Sequence, residues 1–184
     1  MIPLMRLKKD VQFNGELTKV VDVLKGIAAA RYHMLERQLA LFERLGSAAE
    51  DLLKIIDMRR VTHPFVQAQT PTTGVIIVTS TAGFLGGLNT QAVNMGLREA
   101  GRGAVVTVIG DRGAGYLRDL RQDCAAFPGI EEATRTSLAL AVRDHVVGQI
   151  LSGQCGRLLV VYPKPVSFSS QLVTVETLLP CSAW

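Results

Sequence analysis

A long repeat of apolar positions opens the chain. Between residues 11 and 45, apolar side chains recur in alternating steps of three and four, which is the spacing of one helix face. No proline interrupts the stretch, so it predicts a helix on the order of 50 Å long at ~1.5 Å of rise per residue. The apolar face of so long a helix must pack against another helix or be enclosed by a partner protein. The apolar positions are Leu17, Val20, Val21, Leu24, Ile27, Ala28, Tyr32, Met34, Leu35, Leu39, Leu41, Phe42 and Leu45.

Breaks in the pattern divide the chain into three parts. We expect Gly46 to bend or break the first helix, after which helical spacing resumes over residues 47–60. Pro64 ends this pattern, because the residue before a proline is pushed out of the helical region. The predicted parts are a helical rod at 1–60, a linker at 61–73 and a globular domain at 74–184.

The third part alternates between strand and helix patterns. Three continuous apolar, β-branched runs are typical of buried strands, and a fourth run alternates like an edge strand. Helical patterns separate the first three runs, which indicates an α/β fold: a Rossmann-like three-layer domain with a mostly parallel sheet. The predicted strands cover residues 74–80, 104–109, 157–162 and 166–179, and the predicted helices cover 89–100, 114–123 and 130–152.

Composition narrows the class of protein. The 184 residues are 48% hydrophobic, enough for a core, and the net charge is +4 with a pI of about 9.2. The charge is spread out rather than gathered into lysine–arginine blocks, and aromatic residues make up only 5%, so we expect no nucleic-acid partner. We expect no secretory signal, because the N-terminus has no seven-residue apolar run before a small-residue cleavage site. We also expect no membrane span, because the chain has no run of about eighteen apolar residues.

Residues that carry chemistry are sparse. The histidines lie far apart, the cysteines show no CxxC spacing, and Ser80 lacks the GxSxG frame of a nucleophile. We therefore expect no catalytic residue, no metal site and no cofactor. The histidines are His33, His63 and His145, and the cysteines are Cys124, Cys155 and Cys181.

A glycine-rich turn follows the first predicted strand. Its glycines are Gly83, Gly86 and Gly87, and Asn89 opens the next helix pattern. A strand, a glycine-rich turn and a helix can bind phosphate groups, with Asp111 as the candidate ribose ligand. The GxxGG spacing nevertheless differs from the GxGxxG and Walker patterns. The other interpretation is a structural turn in which Asn89 caps the helix.

Four stretches in order resemble the γ subunit of F-type ATP synthases, the central rotor stalk. Residues 17–31 resemble the first helix of that family, with its ITKAM…VAAAK-like pattern. Residues 83–89 (GFLGGLN) resemble its GLCGGLN turn, and residues 109–113 (IGDRG) resemble its IGxKG turn. Residues 162–180 resemble YNKFVS…Q…TVEQLLP. The order and spacing agree over nearly the whole chain.

Several positions depart from the family pattern. Leu85 replaces the cysteine of GLCGGLN, and Pro163 and Pro165 replace two residues of YNKF. Family members continue into a long C-terminal helix that pairs with the first helix, whereas this sequence ends at Trp184. The expectation is a divergent γ subunit without that helix.

The resemblance implies particular partners and contact residues. It implies a rotor that turns inside the α3β3 ring, with a foot against the ε subunit and the c-ring, and peripheral association with an energy-transducing membrane through the complex. The membrane face would be the cytoplasmic one in a bacterium and the matrix side in a mitochondrion. The implied contact residues are Leu24, Lys25, Gly26, Ile27, Ala28 and Arg31 in the ring and Tyr162 and Lys164 at the foot.

Two alternatives stay open from the sequence. The chain is a γ fragment with no working role, in which case the apolar stripe of the first helix drives self-association. Alternatively, it is a separate nucleotide-binding α/β protein built on residues 83–89, in which case a nucleotide raises its melting temperature.

Overall fold

A computed structural model describes residues 4–55, 60–83, 85–167 and 169–181. The end of the second predicted helix, at 56–59, and the last three residues of the chain lie outside the described residues. The chain divides into two compact units, Met1–Ile55 and Ile56–Trp184, and each is considered by itself.

The first unit is a single α-helix, α1, which spans Leu4–Ile55 and contains 52 residues. Of the two expectations at Gly46, a bend or a break, the break is wrong, because the helix runs through this position without interruption. One glycine weakens a helix by only about 1 kcal/mol, and good helix formers such as Ala48, Ala49 and Leu52 follow it. Across the described ranges, no helix is both long and apolar enough to cross a membrane.

The second unit is an α/β domain around one five-stranded sheet. The strand order is β3-β2-β1-β4-β5, with parallel pairing from β3 through β4 and an antiparallel β4–β5 pair. The predicted α/β class with a mostly parallel sheet is confirmed. The strands are β1 Thr73–Val78, β2 Val105–Ile109, β3 Ala125–Phe127, β4 Arg157–Ser167 and β5 Ser170–Leu179. The helices are α2 Leu88–Ala100, α3 Asp111–Asp119 and α4 Arg135–Leu151.

The sheet carries a hydrophobic core on each face. Alternate residues of one strand point to opposite faces, so Val75 and Ile77 of β1 enter one core while Ile76 enters the other. The first core is closed by α2 and α3, and the second by α4, whose buried residues recur every four positions from Leu138 to Ile150. These three layers are the arrangement that the alternating strand and helix patterns predict.

One strand is not predicted by the sequence, and another is five residues longer than predicted. The three-residue strand β3 was absent from the prediction, because a run so short carries no periodicity. Strand β4 continues to Ser167, beyond the predicted end at Tyr162. Pairing between β4 and β1 stops at Val161, so Pro163 and Pro165 lie where β4 has only β5 beside it. A proline is tolerated there because its missing N–H can face the open side.

A buried threonine joins the carboxyl ends of β1 and β2. The Thr79 hydroxyl donates a hydrogen bond to the Ile109 carbonyl at 2.8 Å and accepts one from the Gly113 N–H at 3.0 Å. Gly110 has a φ of 103°, and a Cβ at this position would overlap the Thr79 carbonyl. The first turn of α3 is therefore fixed against the end of β1 by one side chain and one glycine.

Replacing Thr79 with valine tests this junction. Thr79→Val keeps the shape but leaves the buried Gly113 N–H without its acceptor, so we expect a loss of about 1–3 kcal/mol in the free energy of unfolding. Urea unfolding followed by tyrosine fluorescence measures the loss. Thr79→Ser keeps the hydroxyl and is the matched control, with a smaller expected loss. A valine variant as stable as the parent protein would show that the junction contributes little.

Candidate partner-binding surfaces

The bearing segment, residues 24–31 of α1, contains most of the contact positions that the family resemblance implies. Leu24, Ile27 and Arg31 are exposed, and the fractional exposures of Leu24 and Ile27 are 59% and 50%. Burial of a large apolar side chain contributes about 1.5–3 kcal/mol of favourable free energy, so covering Leu24 and Ile27 would stabilise a complex with a partner. Lys25, Gly26 and Ala28 are exposed as well.

Gly26 has no packing role within the described part of this chain. A Cβ built on Gly26 meets no atom within 4 Å, and the same is true of Gly15 and Gly46 in the same helix. Glycine in a helix interior is less favourable than alanine by about 1 kcal/mol. Packing within the helix therefore gives no reason for a glycine here, which leaves two interpretations: the glycine is tolerated, or a partner approaches the helix closely at this position.

The glycine-rich turn is held by its own polar groups. The Ser80 N–H donates a hydrogen bond to Asn89 Oδ1 at 3.0 Å, and Asn89 Nδ2 donates one to Ser80 Oγ at 2.9 Å. Asn89 is the second residue of α2, and the N-cap is Gly87 without a side-chain capping bond. The predicted capping role of Asn89 is thus wrong, because its amide instead ties the start of α2 to the end of β1.

The side chain of Arg112 packs against the glycine-rich turn at Gly83. Arg112 Nη2 lies 3.1 Å from the position that a Cβ on Gly83 would take, so the guanidinium lies directly over this glycine. Gly86 has a φ of 55°, in the left-handed region that favours glycine. Asp111, the candidate ribose ligand, is the exposed first residue of α3. In the described ranges, no group of three or more histidine, cysteine or carboxylate residues is placed to hold a metal ion.

The third candidate surface is the β4–β5 hairpin. Tyr162 and Lys164 share one face of β4, and both reach Glu176 on β5. The Tyr162 hydroxyl donates a 2.6 Å hydrogen bond to Glu176 Oε1, and Lys164 Nζ lies 3.7 Å from the same oxygen. The importance of Glu176 was missed from the sequence, because only the strand register brings it to Tyr162, fourteen residues earlier.

The hairpin environment changes the acidity of Tyr162. Burial, and then the hydrogen bond and negative charge of Glu176, raise the pKa of Tyr162 from 10 to about 12. Because the pKa is higher in the folded protein, the neutral phenol stabilises the hairpin below pH 10. This contribution is lost as the pH rises from 10 to about 12.

A spectroscopic titration tests the Tyr162–Glu176 pair. In Glu176→Gln the pKa of Tyr162 should fall towards 10 but remain above it, because burial is the larger cause. The measurement is the near-ultraviolet absorbance of the phenolate against pH, with the Tyr162→Phe titration subtracted. An unchanged pKa in Glu176→Gln would mean that the carboxylate does not engage the phenol in solution.

Comparison with known proteins gives a consistent match. The sequence model of a family described as ATP synthase matches residues 4–184. An ATP synthase γ chain from Clostridium pasteurianum is 24% identical over 188 residues, which cover 96% of this chain and 65% of the relative. A γ chain from Thiobacillus denitrificans is 31% identical over 127 residues, which cover 64% of this chain and 44% of the relative.

Solved structures match the fold. A chain from the central stalk and c-ring structure of Tetrahymena thermophila mitochondrial ATP synthase aligns with a TM-score of 0.60 and 16% identity. The alignment covers 88% of this chain and 72% of that chain. A chain from the rotor of the Euglena gracilis mitochondrial enzyme aligns with a TM-score of 0.53 and 17% identity, covering 94% and 61%.

The fold of a long helix followed by a mostly parallel α/β domain is therefore shared with chains of these two ATP synthase structures. The chain belongs to the ATP synthase family, and the curated relatives that it matches are γ chains. The resemblance inferred from the four sequence stretches is confirmed. The chain spans 65% of the Clostridium pasteurianum γ chain and 44% of the Thiobacillus denitrificans one.

Proposed function

We propose that this chain is a central rotor-stalk subunit of an F-type ATP synthase. In this role it couples rotation of a c-ring to ATP synthesis or hydrolysis in an α3β3 ring. The γ chain makes and breaks no bonds itself, since the chemistry takes place in the β subunits. The family match supports the assignment, and α1 is the single observation that carries it.

The properties of α1 suit a shaft. It has 52 residues, with large apolar side chains exposed along its whole length. A helix with such a stripe is stable only when other surfaces cover the stripe, which a surrounding ring and a neighbouring helix would do. The exposed apolar side chains of the bearing segment, with few charges between them, would give weak, smooth contact in every orientation. Lys25 and Arg31 are the cations available to acidic loops of the ring.

An asymmetric shaft offers a physical route to coupling. A rod that touches three β subunits differently favours a different conformation in each, because differential contact shifts a conformational equilibrium. Turning the rod would move each β subunit in sequence through states of different nucleotide affinity. In the reverse direction, hydrolysis in the ring would turn the rod.

We assign contact with the remaining proposed partners, the ε subunit and the c-ring, to the second unit. The β4–β5 hairpin, with Tyr162 and Lys164, is proposed to lie at the foot of the stalk against the ε subunit and the c-ring. The chain would thus be peripheral to an energy-transducing membrane, on the cytoplasmic side in a bacterium or the matrix side in a mitochondrion. The charged face around Lys164 and Glu176 offers polar contacts for this role.

Assembly with the ring subunits tests the proposal. The purified chain is mixed with its own α and β subunits, and the mixture is analysed by gel filtration and phosphate release. We expect a complex in which the three proteins co-elute and ATP is hydrolysed. A chain that self-associates and never enters the ring would instead indicate a fragment with no rotor activity. A rise in melting temperature with nucleotide and no ring binding would indicate a nucleotide-binding protein.

Gly26 allows a sharper test of the bearing segment. Gly26→Leu should increase the helicity of the free chain, because leucine is the better helix former by about 1 kcal/mol, yet reduce ring-dependent ATPase activity. Gly15→Leu is the matched control, since Gly15 also lies in α1 with open space around it. Circular dichroism and phosphate release measure the two effects. Equal ATPase activity in the two variants would remove Gly26 from the bearing surface.

A further inference from the structure

The sheet of the second unit has one long open edge. Its strands run in the order β3-β2-β1-β4-β5, so β3 and β5 each have a neighbouring strand on one side only. Strand β3 contains three residues, whereas β5 contains ten and has no proline. An edge strand presents a row of backbone N–H and C=O groups with which a further strand can pair. The outer edge of β5 is therefore a candidate binding surface.

The open stretch at the end of β4 is protected against an added strand. Pairing of β4 with β1 stops at Val161, and Pro163 and Pro165 follow within β4. A proline has no N–H to donate, and in sheets it lies on an edge with its nitrogen facing away from the neighbouring strand. The two prolines therefore face away from β5 and disfavour pairing on the open side of β4. Because β5 has no such protection, it is the edge that a partner strand can use.

The same prolines determine which backbone groups of β5 point outward. Pro163 lies opposite Val173 and Pro165 lies opposite Gln171 in the antiparallel β4–β5 pair. Two opposed residues in such a pair either exchange both hydrogen bonds or both point away from each other. Since the prolines point away from β5, Val173 and Gln171 point away from β4, and alternation along the strand adds Val175. Within the described part of the chain, these three residues make no backbone hydrogen bond outside the β4–β5 ladder.

The side chains beside this edge combine an apolar and an acidic position. Leu172 is 63% exposed and lies four residues before Glu176 on the same face of β5. Tyr162 and Lys164 both reach the Glu176 carboxylate through Oε1. Among the described residues, no hydrogen bond or ion pair involves Oε2 of this carboxylate. The edge therefore offers one carboxylate oxygen to a cation and one leucine to an apolar side chain.

We propose that β5 accepts a strand from a partner protein, which places a lysine or arginine opposite Glu176 and an apolar side chain opposite Leu172. The backbone of the added strand would bond to Gln171, Val173 and Val175, and the sheet would grow by one strand. The inference rests on the proposed function, since it takes the β4–β5 hairpin to be a surface where the stalk meets its partners. It adds the mode of binding and the side chains that the partner must supply.

The two side-chain positions give this mode of binding its selectivity. Backbone hydrogen bonds supply affinity when a strand is added to a sheet edge, but they are the same for every sequence. Opposite charges directly across two paired strands are favourable, and like charges there are unfavourable. A partner strand with a cation opposite Glu176 is thus preferred over one with a carboxylate. An apolar residue four positions away, opposite Leu172, fixes the register.

A second copy of β5 is a poor match for this edge. The strand SQLVTVETLL contains no lysine or arginine, so a copy of it places no cation opposite Glu176. A symmetric antiparallel pair centred on Thr174 would place Glu176 opposite Leu172 of the copy. A pair centred on Val175 would place Glu176 opposite Thr174 of the copy. Neither arrangement supplies the charge that the edge lacks.

Cyclic hairpin peptides with one strand free to pair test the inference on the full chain. Each peptide carries valine opposite Leu172 and either lysine or glutamate opposite Glu176, and each is made for parallel and for antiparallel pairing. Fluorescence anisotropy measures the affinities. The protein variants are Glu176→Gln and, as a matched control, Glu131→Gln, which removes an exposed carboxylate outside the hairpin. Amide hydrogen exchange followed by nuclear magnetic resonance reports which backbone groups of β5 become bonded.

We expect the lysine peptide to bind about fivefold more tightly than the glutamate peptide in the better orientation. Glu176→Gln should reduce this preference, and Glu131→Gln should preserve it. The amides of Val173 and Val175 should exchange fast in the free chain and slowly in the complex. The amide of Thr174, which already faces β4, should exchange slowly in both.

Several results would overturn the inference. These are equal affinities of the two peptides, failure of every peptide to bind, and binding that leaves the amides of Val173 and Val175 unprotected. Protection of these two amides in the chain alone at high concentration would indicate a second copy on this edge and would overturn it as well. The ring-assembly experiment is independent, so a chain that supports ATP hydrolysis with the ring but binds no strand would leave the proposed function standing.

Discussion

The structure depends on one constraint: the apolar stripe of α1 must be covered by something other than α1. Leu24 and Phe42 are each more than half exposed, and burial of such a side chain contributes about 1.5–3 kcal/mol. The second unit needs no such help, since α2, α3 and α4 close a core on each face of its sheet. The chain thus combines a domain that has its own hydrophobic core with a helix whose apolar face is exposed.

The proposed rotor function depends on surfaces, namely the exposed face of α1 and the β4–β5 hairpin. The glycine-rich turn occupies the position of a phosphate-binding loop, but the polar side chains at its two ends bond to each other. Ser80 and Asn89 bond to each other across the turn, and Arg112 lies over Gly83. Thr79 then fixes the neighbouring turn at Gly110. These contacts fix the two turns at the carboxyl edge of the sheet.

Sequence patterns predicted most of the fold, and the exceptions have physical causes. Strands β1, β2 and β4 and the helices between them follow from apolar runs and helical spacing. The role of Asn89 depends on a contact nine residues back along the chain, and the Tyr162–Glu176 bond depends on strand register; neither has a local signal. Gly46 predicted a break because glycine disfavours helix, but its small penalty was outweighed by the helix formers around it. The contact residues of the bearing segment came from family resemblance, since an isolated exposed stripe does not identify its partner.

The central claim is that α1 becomes covered inside an assembly. Hydrogen–deuterium exchange of the backbone amides of α1, with and without the α and β subunits, tests this claim most directly. We expect fast exchange in the free chain and strong protection centred on residues 24–31 when the ring subunits are present. Exchange in α1 that is unchanged by the ring subunits would show that the helix is not covered there, whatever the stability of the α/β domain.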